Sequence, residues 1–229
     1  MEPRFTYFFL DLITIAGPLA LSFDQKVAFY KQWKHWFIAT LITSTAYILW
    51  DIWFTYANIW KFNDQFLTGT NLVNLPIEEY TFFMVVPYAC LFVYACLRSY
   101  FPNLCIPNKL FWPVITAFSV CMALYHILEW YTFITFGLFS ISLLILQVRY
   151  SNFFRTFSSH LWWAWVICLI PMAYVNGVLT SKPVLIYNNL ENCGFRIGTI
   201  PFEDFFYNFL YMTWMIVIYE ISRRKSASF

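Results

Sequence analysis

Pro76-Ile77-Glu78-Glu79 and Pro201-Phe202-Glu203-Asp204 are one four-residue phrase written twice, 125 residues apart. Each sets a proline and a pair of acids at the mouth of a long apolar run. Sliding the chain along itself by the same interval, without a gap, brings Phe29 onto Phe154, His35 onto His160 and Asp51 onto Asn176. It also brings Thr55 onto Thr180, Asn63 onto Asn188 and Gly69 onto Gly194. These matches fall at loops, at run ends and on the two acid pairs, all in one register. The chain is therefore read as an internal repeat, and the fold follows from that reading.

Composition says where the repeat lives. Of 229 residues, 61% are hydrophobic, 24% aromatic and 11% charged. A soluble domain carries about 25% charged residues, so there is too little polar surface here to cover a water-soluble globule. A soluble enzyme, a disordered tail and a nucleic-acid binder are excluded, and a multi-span membrane protein is predicted. The net charge of +2 says nothing about partners. A span needs about 20 mostly apolar residues. Seven segments qualify: Phe5–Leu21, Trp36–Phe54, Ile77–Leu97, Leu110–Leu128, Tyr131–Val148, Leu161–Thr180 and Phe202–Ile221. The fourth and fifth nearly touch around Glu129–Trp130, as a tight hairpin or one long re-entrant feature. The first carries Asp11 and lacks a clear small-residue cleavage site, so it is read as a retained span.

The expected fold is an all-α membrane protein with seven transmembrane helices. Spans 1–3 and 5–7 form two parallel three-helix repeats and span 4 is the linker. The corresponding units are residues 1–104, 105–128 and 129–229. One intervening span gives both units the same orientation, and such repeats usually place their site between the halves. Ten of the 14 basic residues lie in the loops 22–35, 98–109 and 149–160 and in the tail after 221. That bias predicts a cytoplasmic C-terminus and an N-terminus outside, in the cytoplasmic membrane. Trp33, Trp36, Trp53, Trp60, Trp112, Trp130 and Trp162 cluster near span ends, as an aromatic belt does.

The acids are few enough to sort. Glu2, Asp24, Asp64, Glu191 and Glu220 read as solvated loop or end positions, and Asp11 as interfacial or structural. Glu78, Glu79, Glu203 and Asp204 are different. An acid inside a span costs about 2.5–3.5 kcal/mol on insertion scales, which makes it a functional candidate. The bland reading is a helix-start acid helped by the helix dipole, by about 0.3–1 kcal/mol. That accounts for one acid per helix better than for two adjacent acids in both repeats. Paired acids repel one another's charge and suit a group that holds a proton to donate. Glu78 and Glu203, the identical members, rank first. Asp51 and Asn176 lie on the same outer side and are read as supporting polar groups, or as interfacial caps. His35 and His160 are expected at headgroup level. His126 and Glu129 are three apart, but no metal is expected without further clustered ligands. The six cysteines contain no Cys-x-x-Cys pair, and they read as small buried hydrophobes.

The tandem Pro-x-Glu-acid phrases, with Asn74-Leu75-Pro76-Ile77-Glu78-Glu79-Tyr80 and the preceding Trp50-Asp51-Ile52-Trp53-Phe54-Thr55, resemble the integral-membrane lycopene cyclases. These include the heterodimeric type of some bacteria, here fused into one chain, and the cyclase half of the fungal bifunctional enzymes. The resemblance covers nearly the whole chain. It implies a lycopene β-cyclase, an isomerase with no net redox change that takes lycopene through γ-carotene to β-carotene. It implies no cofactor, and the sequence carries no dinucleotide fingerprint. Implied partners are lycopene, membrane lipids and other carotenoid-biosynthesis enzymes, with no nucleic acid. An acid would protonate the terminal double bond, the cation would close a ring, and a base would remove a proton. Aromatic faces stabilise such cations, by about 2 kcal/mol when desolvated. Trp50, Trp53, Tyr80, Phe82, Phe83, Phe205, Phe206 and Tyr207 lie near the acids in sequence. The alternatives are a cyclase for another carotenoid (C50, one-ended or ε-ring) and a non-enzymatic seven-helix membrane protein. A retinal protein needs a lysine in the last span, and Phe202–Ile221 has none.

Overall fold

The computed structural model describes residues 3–106 and 109–227. Residues 1 and 2 of the expected unit 1–104, Glu2 among them, residues 107 and 108 of the linker unit 105–128, and residues 228 and 229 of the unit 129–229 lie outside them. The protein is an all-α membrane protein, and each of the seven apolar runs holds a long helix. These are α1 (Thr6–Leu21), α2 (Trp33–Tyr56), α3 (Ile77–Tyr100), α4 (Phe111–Tyr125), α5 (Trp130–Val148), α7 (Ser158–Ser181) and α8 (Phe202–Ala227). A short helix, α6 (Ser151–Arg155), lies between α5 and α7. The α4–α5 connection is a hairpin of two helices packed side by side. Four helical stretches are long and apolar enough to cross a membrane: 29–56, 77–100, 130–148 and 158–181. The apolar helices α1 and α4 are shorter. Helix α8 is less apolar because it is the interior helix, packed by α2, α3, α5 and α7. A helix covered over most of its length by protein can carry Glu203, Asp204, Asn208 and Glu220 where a lipid-facing one cannot.

The loops at one end of the bundle carry short strands that the sequence reading did not anticipate. They are β1 (Trp60–Phe62), β2 (Asn71–Leu72), β3 (Leu75–Pro76), β4 (Leu185–Tyr187), β5 (Arg196–Ile197) and β6 (Ile200–Pro201). The 125-residue interval relates β1 to β4, β2 to β5, β3 to β6, α2 to α7 and the start of α3 to that of α8. Strands β2 and β3 form one hairpin, and β5 and β6 another. Strands β1 and β4 pair with each other, antiparallel, with Lys61 opposite Ile186, its own counterpart. Flanking bonds repeat the exchange: Asn63 N donates to the Val184 carbonyl and Asn188 N to the Ile59 carbonyl. The helices cross over in the same manner. Helix α2 packs on α8 and α7 packs on α3, across the halves, whereas α1 packs on α3 and α5 on α8 within each half.

Two sequence expectations need correcting. Glu220 is buried; it accepts from the Tyr94 hydroxyl at 2.6 Å and faces Arg223 at 3.5 Å, because the interior helix continues past it. Among the cysteines only Cys90 and Cys168 are buried; Cys121 is exposed on α4, which packs mainly on α5, and Cys105 is exposed in the loop between α3 and α4. His160 bonds the Phe101 carbonyl at 3.0 Å and His35 bonds Ser222 at 2.8 Å.

Candidate active site

Helices α3 and α8 each begin directly after a hairpin strand that ends in proline. The extended backbone of Pro76 (φ −67°, ψ 150°) delivers the chain into α3 with both acids in the first turn. Adjacent residues on a helix point about 100° apart, so the members of each pair cannot share an environment. Glu78 and Glu203 turn back to their own loops. Glu78 Oε1 accepts from Thr68 N at 2.7 Å, and Glu203 Oε1 accepts from Cys193 N at 2.7 Å. The residue after each donor is a glycine at positive φ, Gly69 (86°) and Gly194 (73°). A residue without a Cβ takes that conformation at little cost. Glu203 Oε1 also accepts from the Thr132 hydroxyl. Burial, followed by the bond to Glu203, pushes the Cys193 thiol up to about 12, so it stays protonated and is no nucleophile.

Glu79 and Asp204 turn the other way, into a cavity of about 380 Å³. This falls within the range of small-molecule sites, about 300–1,000 Å³. On α3 its wall is Glu79, Phe82, Phe83, Val86, Pro87, Cys90 and Val93, one continuous helical face. On α8 it is Asp204, Tyr207, Asn208 and Tyr211, at the same spacing. Helix α1 adds Tyr7, Ile13, Thr14 and Pro18, and α7 adds a face from Cys168 to Thr180 that includes Asn176. Asp51, Tyr131 and the crossed strands' Trp60, Phe62, Leu185 and Tyr187 complete the acid end. Every acid of the cluster is between 0% and 6% exposed. On the outer flank the wall reaches the bundle surface at Ile13 and Tyr174, which are 48% and 60% exposed. The cavity thus has a polar end under the crossed strands, a long apolar arm, and an edge that reaches the bundle surface between α1 and α7.

The two halves furnish this end unequally. Glu79 and Asp51 share a hydrogen bond between their carboxyl groups. Tyr7 donates to Glu79 Oε2 at 2.6 Å and Tyr207 to Asp51 Oδ1 at 2.7 Å. Two carboxyl groups joined in this way need a proton between them. At the equivalent place, Asp204 faces an amide: Asn176 Nδ2 donates to Oδ2 at 3.1 Å. Tyr187 donates to the same oxygen at 2.8 Å and Tyr131 to Oδ1 at 2.6 Å. Three donors and no second acid leave Asp204 needing no proton to satisfy its oxygens. Burial first, and the Asp204 charge next, hold the Tyr187 phenol proton well above the ordinary value, so this residue remains a donor.

Among the sequence candidates, Glu79, Asp204, Asp51, Asn176, Phe82, Phe83 and Tyr207 line the cavity, and Glu78, Glu203, Trp50, Tyr80 and Phe205 do not. Trp50 packs behind Tyr207 with ring centroids 5.1 Å apart. Tyr80 bonds the Leu72 carbonyl at 3.0 Å on the hairpin side, and the Phe205 carbonyl accepts from Trp165. Asp11 is buried and accepts from Thr81 at 2.6 Å beside the first acid pair. His126 and Glu129 approach to 3.7 Å; among the described residues no third ligand joins them. Sequence reasoning missed the phenols Tyr7, Tyr131 and Tyr187 and the ring of Trp60. Their only signal was position: Tyr187 and Trp60 sit in loops, where nothing local marks a site.

A family model described as lycopene cyclase matches residues 4–97 and again residues 128–222, together more than half of the chain. No curated protein and no solved structure matches.

Proposed function

The chain belongs to the lycopene cyclase family, as a tandem repeat, and from that premise we propose that it converts lycopene through γ-carotene to β-carotene by proton-initiated ring closure in one cavity between its halves. The observation that carries this reading is the pair of unequal carboxyl groupings, one from each half, at the closed end of an apolar cavity that reaches the bundle surface. A pure hydrocarbon dissolved in the bilayer enters between α1 and α7 and lays one end against the acids.

The Asp51–Glu79 pair is the general acid. Its shared proton passes to the terminal double bond, which leaves a tertiary carbocation and a doubly charged pair beside it. The next double bond attacks the cation and closes a six-membered ring, moving the charge inward. Asp204, held as a carboxylate by Tyr131, Tyr187 and Asn176, takes the proton from the ring-closing carbon and leaves the β-ring double bond. A general acid or base typically contributes about 10²–10⁴-fold. The faces of Tyr207, Trp60, Tyr131 and Phe82 stabilise the intermediate without a nucleophile to trap it. Glu78 and Glu203 are positioning residues that tie each hairpin to the helix carrying its neighbouring acid. The layout proposed is seven spans in two parallel units with α4 as linker, divided near residues 104 and 128, with the C-terminus cytoplasmic.

Expression in a lycopene-accumulating bacterium, with carotenoids separated by chromatography, tests the reading. The expected product is β-carotene with γ-carotene on the way. Unchanged lycopene with the protein present in the membrane overturns it.

A further inference from the structure

We propose that the proton taken up by Asp204 returns to the Asp51–Glu79 pair inside the protein, through Tyr187, without exchange with bulk water. This rests on the cyclase reading above. Each ring closure leaves the site unbalanced: the pair has lost one proton and Asp204 has gained one. The site must be reset before another end reacts. All three acids are buried on one cavity, so the return distance is internal and the route to water is not.

Tyr187 lines the same cavity as all three acids. Its strand pairs across the halves, with Trp60 directly opposite, and its ring stacks on Tyr131 at 5.8 Å. Its hydroxyl donates to Asp204 Oδ2 at 2.8 Å, and the charges of Glu79 and Asp51 also act on it. When Asp204 is protonated, that hydrogen bond reverses. Asp204 then donates, the phenol oxygen accepts, and the phenol's own proton is released toward the doubly charged pair. The O–H bond of Asp204 breaks as one forms on the phenol oxygen, the phenol's original O–H bond breaks as one forms on the pair, the phenol is neutral before and after, and nothing is oxidised or reduced. A phenol that holds its proton this firmly passes protons on and does not store a charge.

The test uses the full chain in liposomes, with lycopene deuterated at the carbons that lose hydrogen on ring closure, in ordinary water. Because each return passes on the proton already held by the phenol, deuterium is expected from the third ring closure onward in the ring methylene formed by the initiating protonation. In Tyr187→Phe the transfer is expected to disappear at whatever turnover remains. Wild-type protein with unlabelled lycopene in heavy water gives a second reading: fewer than one deuterium per ring. Cyclised product with no transferred label in the wild type, or one full deuterium per ring in heavy water, overturns internal return while leaving the cyclase intact. Transfer that persists in Tyr187→Phe overturns Tyr187 as the route. No cyclisation at all overturns the cyclase reading instead.

Discussion

The two halves of the chain place an acid at the same depth of one cavity and then surround it differently. In the first half the neighbour across the helix interface is Asp51; in the second it is Asn176, the same position 125 residues on. Exchanging a carboxyl for an amide changes which protonation state the geometry satisfies. Two linked carboxyls are complete only with a proton between them. A carboxyl facing an amide and two phenols is complete without one. On the proposed mechanism, a repeat supplies both partners of an acid–base reaction from one fold by altering the neighbours and leaving the acid in place.

Removing either acid breaks the comparison outright. Glu79→Gln and Asp204→Asn are each expected to lower carotenoid conversion by about 10²–10⁴-fold, measured as β-carotene per membrane-inserted protein. Loss in only one of them would mean that the other half is a bystander. Next in size is making the halves alike. Asp51→Asn turns the first grouping into a copy of the second and is expected to cost about 10–100-fold. Adding Asn176→Asp should fail to restore activity, because Tyr131 and Tyr187 remain with Asp204. A hydrogen bond to a charged group contributes about 1.5–3 kcal/mol, so Tyr131→Phe is expected to slow turnover by about 10–100-fold, at the lower end if Tyr187 compensates. The smallest effects belong to the loop-facing acids. A glutamine oxygen still accepts from Thr68 N or Cys193 N, so Glu78→Gln and Glu203→Gln should each lose less than about tenfold. Alanine at either position leaves a buried amide unpaired, at about 1–3 kcal/mol, and should lower the thermal melting temperature in detergent.

Most of the scaffold was legible in the sequence because its causes are local or periodic. Seven apolar runs gave seven long helices, with ends displaced by a few residues, and the repeat interval reappears in the strand and helix boundaries. Among the acids, helical phase held more information than identity did. From Asp204, steps of three and four reach Tyr207, Asn208 and Tyr211, a polar stripe on an apolar helix. From Glu203 they reach Phe206, Tyr207 and Leu210. Ranking Glu203 and Glu78 first because they match between repeats picks out the residues that brace two equivalent hairpins, a task both halves share. The cavity-facing member is where the halves diverge. Tyr187 and Trp60 were illegible for another reason. They reach the site through a strand pairing between loops 125 residues apart, and three-residue strands leave no pattern to read.

That strand pairing has a consequence in time. Lys61 meets Ile186 only after 125 further residues have been made, on the order of 6–25 s at the usual speed of synthesis, about 5–20 residues per second. Until then the first half waits in the membrane with its carboxyl pair laid down but no ceiling over it. The second half's strand both closes that ceiling and brings Tyr187, followed by the helix that carries Asp204. On the proposed mechanism α8 completes the acid–base machinery, so a chain cut short before α8 is expected to be inert however well its earlier helices insert.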